Sequence, residues 1–173
     1  HILAGTANQV DANISPVTVD GVTYHSWVEN DAGYKFHPYY GFGGVDATAA
    51  VNASAGYAIG SLGSFQEASF ASNTLDATVS EGSTYETSIN VTGAGVVEFL
   101  RVAIRMSHGL PASMGMRLLS PSGTVATILQ PYSAVYTNPQ DSYIYLAANA
   151  FYGENMTGDW TLQIYDHFID SNE

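Results

Sequence analysis

The residue types that could support catalysis do not form a complete active site in this sequence. None of the five histidines is followed by another histidine three or four residues later, and no Gly-rich phosphate loop or Gly-x-Ser-x-Gly segment is present. A serine, a histidine and an aspartate could meet from distant positions, but any serine-rich chain permits that. The sequence therefore predicts no catalytic residue within the chain. The histidines are His1, His25, His37, His108 and His167.

A cluster of carboxylates follows the last predicted strand: Asp166, Asp170 and Glu173. Oxygen-rich loops of this kind can bind calcium. No Asp-x-Asp-x-Asp-Gly pattern accompanies them, so a solvated acidic loop is the alternative. These three residues are the candidate metal ligands.

Basic and aromatic side chains raise a second possibility, a binding surface. Arg101 and Arg105 fall on one predicted strand face, opposite the hydrophobic one, and Arg117 lies further along the chain. They either pair with acidic neighbours or dock against an acidic surface of another domain. Four tyrosines either pack within the sheets or form a stacking platform for a ligand; they are Tyr132, Tyr136, Tyr143 and Tyr145.

The composition limits the class of protein. The chain has 173 residues, enough for one domain or one plus a fragment, with 4 Lys+Arg against 16 Asp+Glu. A net charge of -12 argues against a nucleic-acid binder and against a polybasic membrane patch. Cysteine is absent, and no apolar run approaches the ~18 residues of a membrane span. Few charges with 17 Gly and 12 Tyr are typical of an extracellular β-protein.

The first half of the chain predicts a few short elements. Residues 1–10 show helical spacing of apolar positions, and Asp20-Gly21 between β-branched runs predicts a hairpin. Residues 41–44 are too glycine-rich to be regular. Asp46 before an alanine-rich run predicts a capped helix over residues 46–55. Residues 61–74 have weak periodicity and predict a linker.

From about residue 75 the pattern changes to short strands. The clearest alternates apolar and other residues over 100–106, and Ser-Pro-Ser-Gly at 120–123 predicts a type I turn. Several such strands separated by turn signals predict an antiparallel β-sandwich or jelly roll. The other predicted strands cover residues 87–91, 116–119, 124–129, 142–146 and 160–165.

The first half resembles the end of a known catalytic domain. His37 followed by Tyr40-Gly41-Phe42-Gly43-Gly44-Val45-Asp46-Ala47 is similar to the segment that closes the subtilisin-like domains of kexin and the proprotein convertases. Residues 1–7 and 10–11 are similar to a segment of subtilases a short way after the nucleophile helix. The Gly-Thr-Ser segment that holds the family's nucleophile is absent, so no catalytic role transfers to this chain.

The second half resembles the P domain, also called Homo B, that follows the catalytic domain in this family. The resemblance lies in Leu-Leu-Ser-Pro-Ser-Gly-Thr at 118–124, Phe-Tyr-Gly-Glu at 151–154 and Gly-Asp-Trp-Thr-Leu at 158–162. The final strand of such domains is missing, so we expect a segment of a longer protease, cut at both ends. The residues expected to have structural roles in the two motif sets are Tyr40, Gly41, Gly43, Asp46, Pro121, Gly123, Gly153, Glu154 and Trp160.

The resemblance implies three parts: residues 1–60 as the end of a subtilisin-like catalytic domain, 61–74 as a linker, and 75–173 as the P domain. It implies a serine endopeptidase in which the P domain packs on the upstream catalytic domain and stabilises it, with protein or peptide substrates and with calcium in the whole protein. The lack of cysteine favours a secreted bacterial protein. The alternative is a non-catalytic jelly-roll module that binds carbohydrate or protein at a cell surface.

Overall fold

The computed structural model describes residues 1–71, 77–132 and 143–167. Two helices and ten strands are present in these ranges, together with a short 3-10 helix at Pro111–Ser113. In chain order the elements are α1 (Ile2–Gly5), β1 (Val17–Val19), β2 (Val22–His25), β3 (Val28–Glu29), β4 (Lys35–Phe36), α2 (Ala47–Ser54), β5 (Thr84–Val91), β6 (Leu100–Ile104), β7 (Met114–Leu119), β8 (Val125–Leu129), β9 (Ile144–Ala148) and β10 (Gly158–Asp166).

Two antiparallel sheets form a sandwich. One sheet has the order β5-β10-β7-β8, and the other pairs β6 with β9. Their facing sides alternate along each strand and meet in a core, as the two-residue period predicts. Phe151 and Met116 are fully buried there, and Phe151 packs edge-to-face on Trp160. The prediction of a mainly β, antiparallel fold is confirmed.

The first part of the chain covers the other face of the four-stranded sheet. The β1–β2 hairpin turns at Asp20 and Gly21, which both have positive φ, as a two-residue type I′ turn requires. Tyr24 on β2 lies over Gly115 of β7, where a Cβ atom would come within 2.2 Å of its hydroxyl. The absence of a side chain at Gly115 therefore lets the hairpin approach the sheet.

The local predictions differ in outcome. Asp46 caps α2 by accepting a hydrogen bond from the Ala49 N–H at 2.8 Å, as predicted. The helix expected over residues 1–10 is wrong beyond Gly5, because Asn8 exchanges backbone hydrogen bonds with Gly44 of 2.9 and 2.8 Å. Within the described ranges no helix is both long and apolar enough to cross a membrane. The jelly-roll order and the three-part domain division stay predictions.

Candidate functional site

The most elaborate polar arrangement joins residues 1–60, here the N-terminal segment, to the sandwich. We call this contact the junction. Glu154 lies at one end of it and is 1% exposed. Its carboxylate accepts hydrogen bonds from the Asp31 backbone N–H at 3.1 Å, from the Ser122 hydroxyl at 3.2 Å and from the Thr124 hydroxyl. A buried carboxylate needs such donors, since it would otherwise lose its hydration without compensation. Glu154 therefore ties the 120–124 turn to the N-terminal segment.

Asn30 makes the second connection from the N-terminal segment. Its Nδ2 donates to the carbonyl oxygens of Ala150 at 2.8 Å and Tyr152 at 2.9 Å. Its Oδ1 accepts from the backbone N–H groups of Ala32 at 3.1 Å and Tyr34 at 2.8 Å. The side chain is 4% exposed, and all four bonds depend on its being an amide. Asn30 therefore shapes its own loop and holds it against the sandwich.

The third connection is a chain of hydrogen bonds at the far end of the hairpin. Asp20 Oδ2 lies 2.8 Å from His167 Nδ1, and His167 Nε2 contacts the Tyr24 hydroxyl. An acid, a histidine and a hydroxyl occur in the same order in serine proteases, but here the hydroxyl is a buried phenol. Burial, followed by the neighbouring Tyr165, raises the pKa of Tyr24 far above its ordinary value. The arrangement therefore holds the hairpin in place and supplies no nucleophile.

Arg117 links the outer face of the sheet to the same hairpin. Its guanidinium donates to Gln163 at 2.8 Å and to the Tyr165 hydroxyl at 2.7 Å, and its Nη1 reaches the Thr23 carbonyl at 3.4 Å. The acidic partner considered for this residue is not found in the described part of the chain. Arg117 is a structural cation at the junction.

The candidate metal ligands are only partly described. Asp166 accepts from the Ser113 hydroxyl at 2.9 Å and lies 3.0 Å from His108 Nε2, so each of its oxygens has a protein partner. Each oxygen of this carboxylate keeps a second acceptor site, so these hydrogen bonds do not decide whether Asp166 binds calcium. Asp170 and Glu173 lie outside the described residues. Within the ranges that are described, no group of three potential ligands is found, and the metal site stays a prediction.

The first motif set has structural roles. The Tyr40 ring stacks on His37 at 5.0 Å, and Gly41 has positive φ. Gly43 faces the Asn8 carbonyl, which would lie 2.2 Å from an added Cβ atom. Hydrogen bonds from the Ala49 N–H and then from the Asn8 amide lower the pKa of Asp46. The motif therefore allows the backbone at Gly43 to approach the backbone at Asn8 closely, and it does not form a reaction centre.

The second motif set shapes the turns around Glu154. Gly123 has a φ of 93° in the turn, and Pro121 approaches Gly158 so closely that an added Cβ would lie 2.7 Å away. Gly153 faces Tyr34 of the N-terminal segment across the junction. The Trp160 Nε1–H donates to the Met156 carbonyl at 2.8 Å. The 158–162 motif is thus held at Gly158 by the close approach of Pro121 and at Trp160 by this hydrogen bond.

Several junction residues had no signal in the sequence. Tyr24, Asn30 and Gly115 belong to none of the recognised motifs, and their importance depends on contacts with residues far away in the chain. The sequence marks Asp20 only as a turn residue. Of the four tyrosines considered for sheet packing or for a stacking platform, Tyr143 and Tyr145 are 58% and 61% exposed. Tyr132 is 51% exposed, and Tyr136 lies outside the described residues.

Comparison with known families identifies the second half of the chain. Residues 97–173 match the family model of the proprotein convertase P-domain. This part of the chain is a P domain. The match includes the 118–124 turn, Glu154 and Trp160, which are the motif residues that the structure places together around the sandwich core. The junction is therefore the contact between the P domain and the segment that precedes it.

The whole chain is similar to the C-terminal region of bacterial proteases. It is 27% identical over 199 residues to Aeromonas extracellular serine protease of Aeromonas sobria, covering 95% of this chain and 30% of the relative. It is 26% identical to Microbial serine proteinase of Aeromonas salmonicida, covering 95% and 31%. The chain thus spans about a third of the length of these relatives. Because 95% of this chain is covered, both matches extend over the N-terminal segment as well as residues 97–173.

Solved structures agree on the fold. The serine protease of Aeromonas sobria in complex with a chaperone superposes with a TM-score of 0.82 at 23% identity, covering 95% of this chain and 32% of that one. The same protease alone gives a TM-score of 0.79 at 23% identity, with the same coverage. Because 95% of the chain is covered, the likeness includes the N-terminal segment as well as the P domain.

Proposed function

We propose that this chain is the C-terminal portion of a secreted, subtilisin-like serine endopeptidase of the kexin type. In this proposal, an upstream domain of the same protein hydrolyses peptide bonds in protein or peptide substrates. The P domain packs beside that domain and stabilises it. The names of the two relatives and the P-domain match support the class of enzyme and its extracellular, bacterial setting.

The observation that carries the proposal is the exposure of apolar side chains on α1 and α2 and beside them. Leu3, Val45 and Val51 are 57%, 68% and 69% exposed, and Ala50 is the buried residue of α2. The same segment is fastened to the P domain through Asn30 and Glu154. An upstream domain packed on these helices would gain about 25 cal/mol for each Å² of apolar area that it removes from water.

The chemistry belongs to the upstream domain in this proposal. A serine would acylate, a histidine oriented by an aspartate would act as base, and an oxyanion hole would stabilise the tetrahedral intermediate. The residues described here would contribute by holding that domain in its folded form. Calcium in the whole protease is part of the proposal. Asp166, whose oxygens face Ser113 and His108, stays one of its predicted ligands.

Two forms of the full-length protein test the proposal, one complete and one lacking residues 75–173, the predicted P domain. A fluorophosphonate probe should label a serine upstream of His1 in the complete form. The truncated form should melt at a lower temperature or be secreted in lower yield. Absence of labelling would reject the enzyme class, whereas equal melting and secretion of the two forms would reject the stabilising role.

A pair of point variants examines the proposed packing. Val51→Asp places a charge on α2 and should lower the melting temperature of the complete protein. Phe65→Asp, on a side chain that is 72% exposed in the predicted linker, is the control and should have little effect. Equal effects of the two changes would show that α2 is not covered.

A further inference from the structure

The outward side of the β6–β9 pair has an unusual composition for this protein. Arg101 and Ala103 on β6, and Tyr145 on β9, are exposed, whereas the alternate residues of both strands point into the sandwich. Arg105 and Tyr143, which flank the two strands, are exposed as well. We call these five residues the β6–β9 face.

The side chains of this face contact one another. The Arg101 guanidinium lies over the Tyr145 ring at 5.0 Å, a cation–π distance. The Tyr143 and Tyr145 rings are 6.4 Å apart between centroids. No carboxylate in residues 1–71, 77–132 or 143–167 forms an ion pair with Arg101 or Arg105. The guanidinium groups are therefore not neutralised by the part of the chain that is described.

The other two cations of the chain are already engaged. Lys35 lies 4.0 Å from Glu29 and donates to Gln9, and Arg117 is held at the junction. Half of the Lys and Arg residues of a chain with net charge -12 thus stand together on the β6–β9 face. The negative charge on the rest of the surface repels an acidic partner, whereas the two arginines of this face attract one.

The hydrogen bonds of the junction involve none of the five residues of the β6–β9 face. The N-terminal segment covers the outer side of the four-stranded sheet, and the β6–β9 pair covers the inner side. The N-terminal segment also reaches the turn after β9 through Asn30, but in the described ranges no hydrogen bond or ring contact joins it to the five side chains of the face. A partner on the β6–β9 face would leave the junction unobstructed, so this inference is independent of the protease assignment.

We propose that the β6–β9 face is a docking site for an acidic segment of a separate protein. Arginine and tyrosine are the residue types enriched at the centres of protein interfaces, because they combine apolar contact area with directed hydrogen bonds. Four residues of extended chain separate Arg101 from Arg105, about 13 Å. Two carboxylates of the partner pair with these guanidinium groups, and an apolar or aromatic side chain between them packs on Tyr145.

Binding of a defined peptide to the intact protein tests the proposal. The probe is a synthetic extended peptide with two glutamates four residues apart, and its control has glutamines instead. Titration calorimetry should show saturable binding of the glutamate peptide, weakened at high salt, and at least about tenfold weaker binding of the glutamine peptide.

Variants locate the site. Arg101→Gln and Arg105→Gln should each weaken binding several-fold, and Tyr145→Ser should do the same without changing the salt dependence. Lys35→Gln removes the same charge elsewhere and should leave the affinity unchanged, while thermal melting confirms that each variant is folded. Equal weakening by Lys35→Gln, or no binding of the glutamate peptide, would overturn the proposal. Binding of cellohexaose that depends on Tyr145 and not on salt would also overturn it, in favour of a carbohydrate platform.

Discussion

The two faces of the four-stranded sheet are stabilised in different ways. The inner face packs Met116, Leu118 and Trp160 against the β6–β9 pair, and it depends on apolar area and shape. The outer face carries Arg117 and Gly115 and meets the N-terminal segment through specific hydrogen bonds. An apolar core accepts many combinations of side chains with a similar total volume. A buried hydrogen bond is lost when one of its two atoms is removed, and the remaining atom is left without a partner. The sandwich is thus a robust unit, and the junction is a specific one.

We expect the largest loss of stability from a substitution in the core on the inner face. Phe151→Ala removes a fully buried ring that packs on Trp160 and should lower the free energy of unfolding by about 3–5 kcal/mol. Urea unfolding followed by tryptophan fluorescence measures the loss. Phe65→Ala, at an exposed ring, is the matched control. Similar losses for both variants would mean that the core does not dominate stability.

A smaller loss is expected when the charge at the junction is removed. Glu154→Gln keeps the shape but turns one acceptor into a donor facing the Ser122 or Thr124 hydroxyl. We expect the free energy of unfolding to fall by about 1.5–3 kcal/mol. Hydrogen exchange at the Asp31 amide should also accelerate. Glu98→Gln, on the exposed surface, serves as control, and an unchanged Asp31 amide would contradict the assigned role.

The close approach of the hairpin gives a third test. Gly115→Ala would bring a methyl group onto the Tyr24 ring and should destabilise the fold by about 1–3 kcal/mol. Because the clash is with one side chain, Gly115→Ala combined with Tyr24→Ala should lose less than the sum of the two single changes. Double-mutant analysis of urea unfolding measures the coupling. Strict additivity would show that the hairpin does not lie where we describe it.

The smallest effect is a pH dependence of the free energy of unfolding, caused by a histidine in the N-terminal segment. His37 is fully buried, and its Nδ1 accepts from the Tyr39 N–H at 3.1 Å. Burial, followed by the neighbouring His25, lowers the pKa of His37 below its ordinary 6.5. The unfolded chain therefore takes up this proton at higher pH than the folded chain does. The contribution of His37 to stability is complete above pH 6.5 and falls as the pH drops toward its folded-state pKa.

Unfolding measurements between pH 7.5 and pH 5 test this titration. His37→Gln keeps an acceptor for the Tyr39 N–H and should show a flatter dependence than the parent protein. His1→Gln, at an exposed histidine, should retain the parent slope. Parallel curves for the parent and His37→Gln would exclude His37 as the titrating group.

Local patterns were sufficient for most of the secondary structure. The two-residue period over 100–106 predicted β6, Asp20-Gly21 predicted the hairpin, and Asp46 predicted the start of α2. Each of these signals acts over a few residues, so it can be read along the chain. The helix expected to reach Val10 was wrong because Asn8 bonds to Gly44, a partner 36 positions away.

Sequence patterns did not predict the contacts of the junction. Motif resemblance singled out Glu154, but neither the backbone N–H of Asp31 nor the hydroxyl of Thr124 is adjacent to it in the chain. Tyr143 and Tyr145 alternate with buried residues, yet the sequence alone left open whether they pack inside or face outward. Only assembly of the two sheets decides which side of a strand is covered.

The amino-acid sequence by itself determined the antiparallel β class, the hairpin and the capped helix, because strand alternation, turn chemistry and capping are short-range effects. The P-domain motifs were recognised by their resemblance to that family. The tertiary structure decided which polar groups meet. It paired Asn30 with the 150–152 carbonyls, placed Tyr24 over Gly115 and left Arg101 beside Tyr145 on the surface. Those contacts join residues far apart in the chain, and their energies depend on burial and distance that exist only once the sheets have packed.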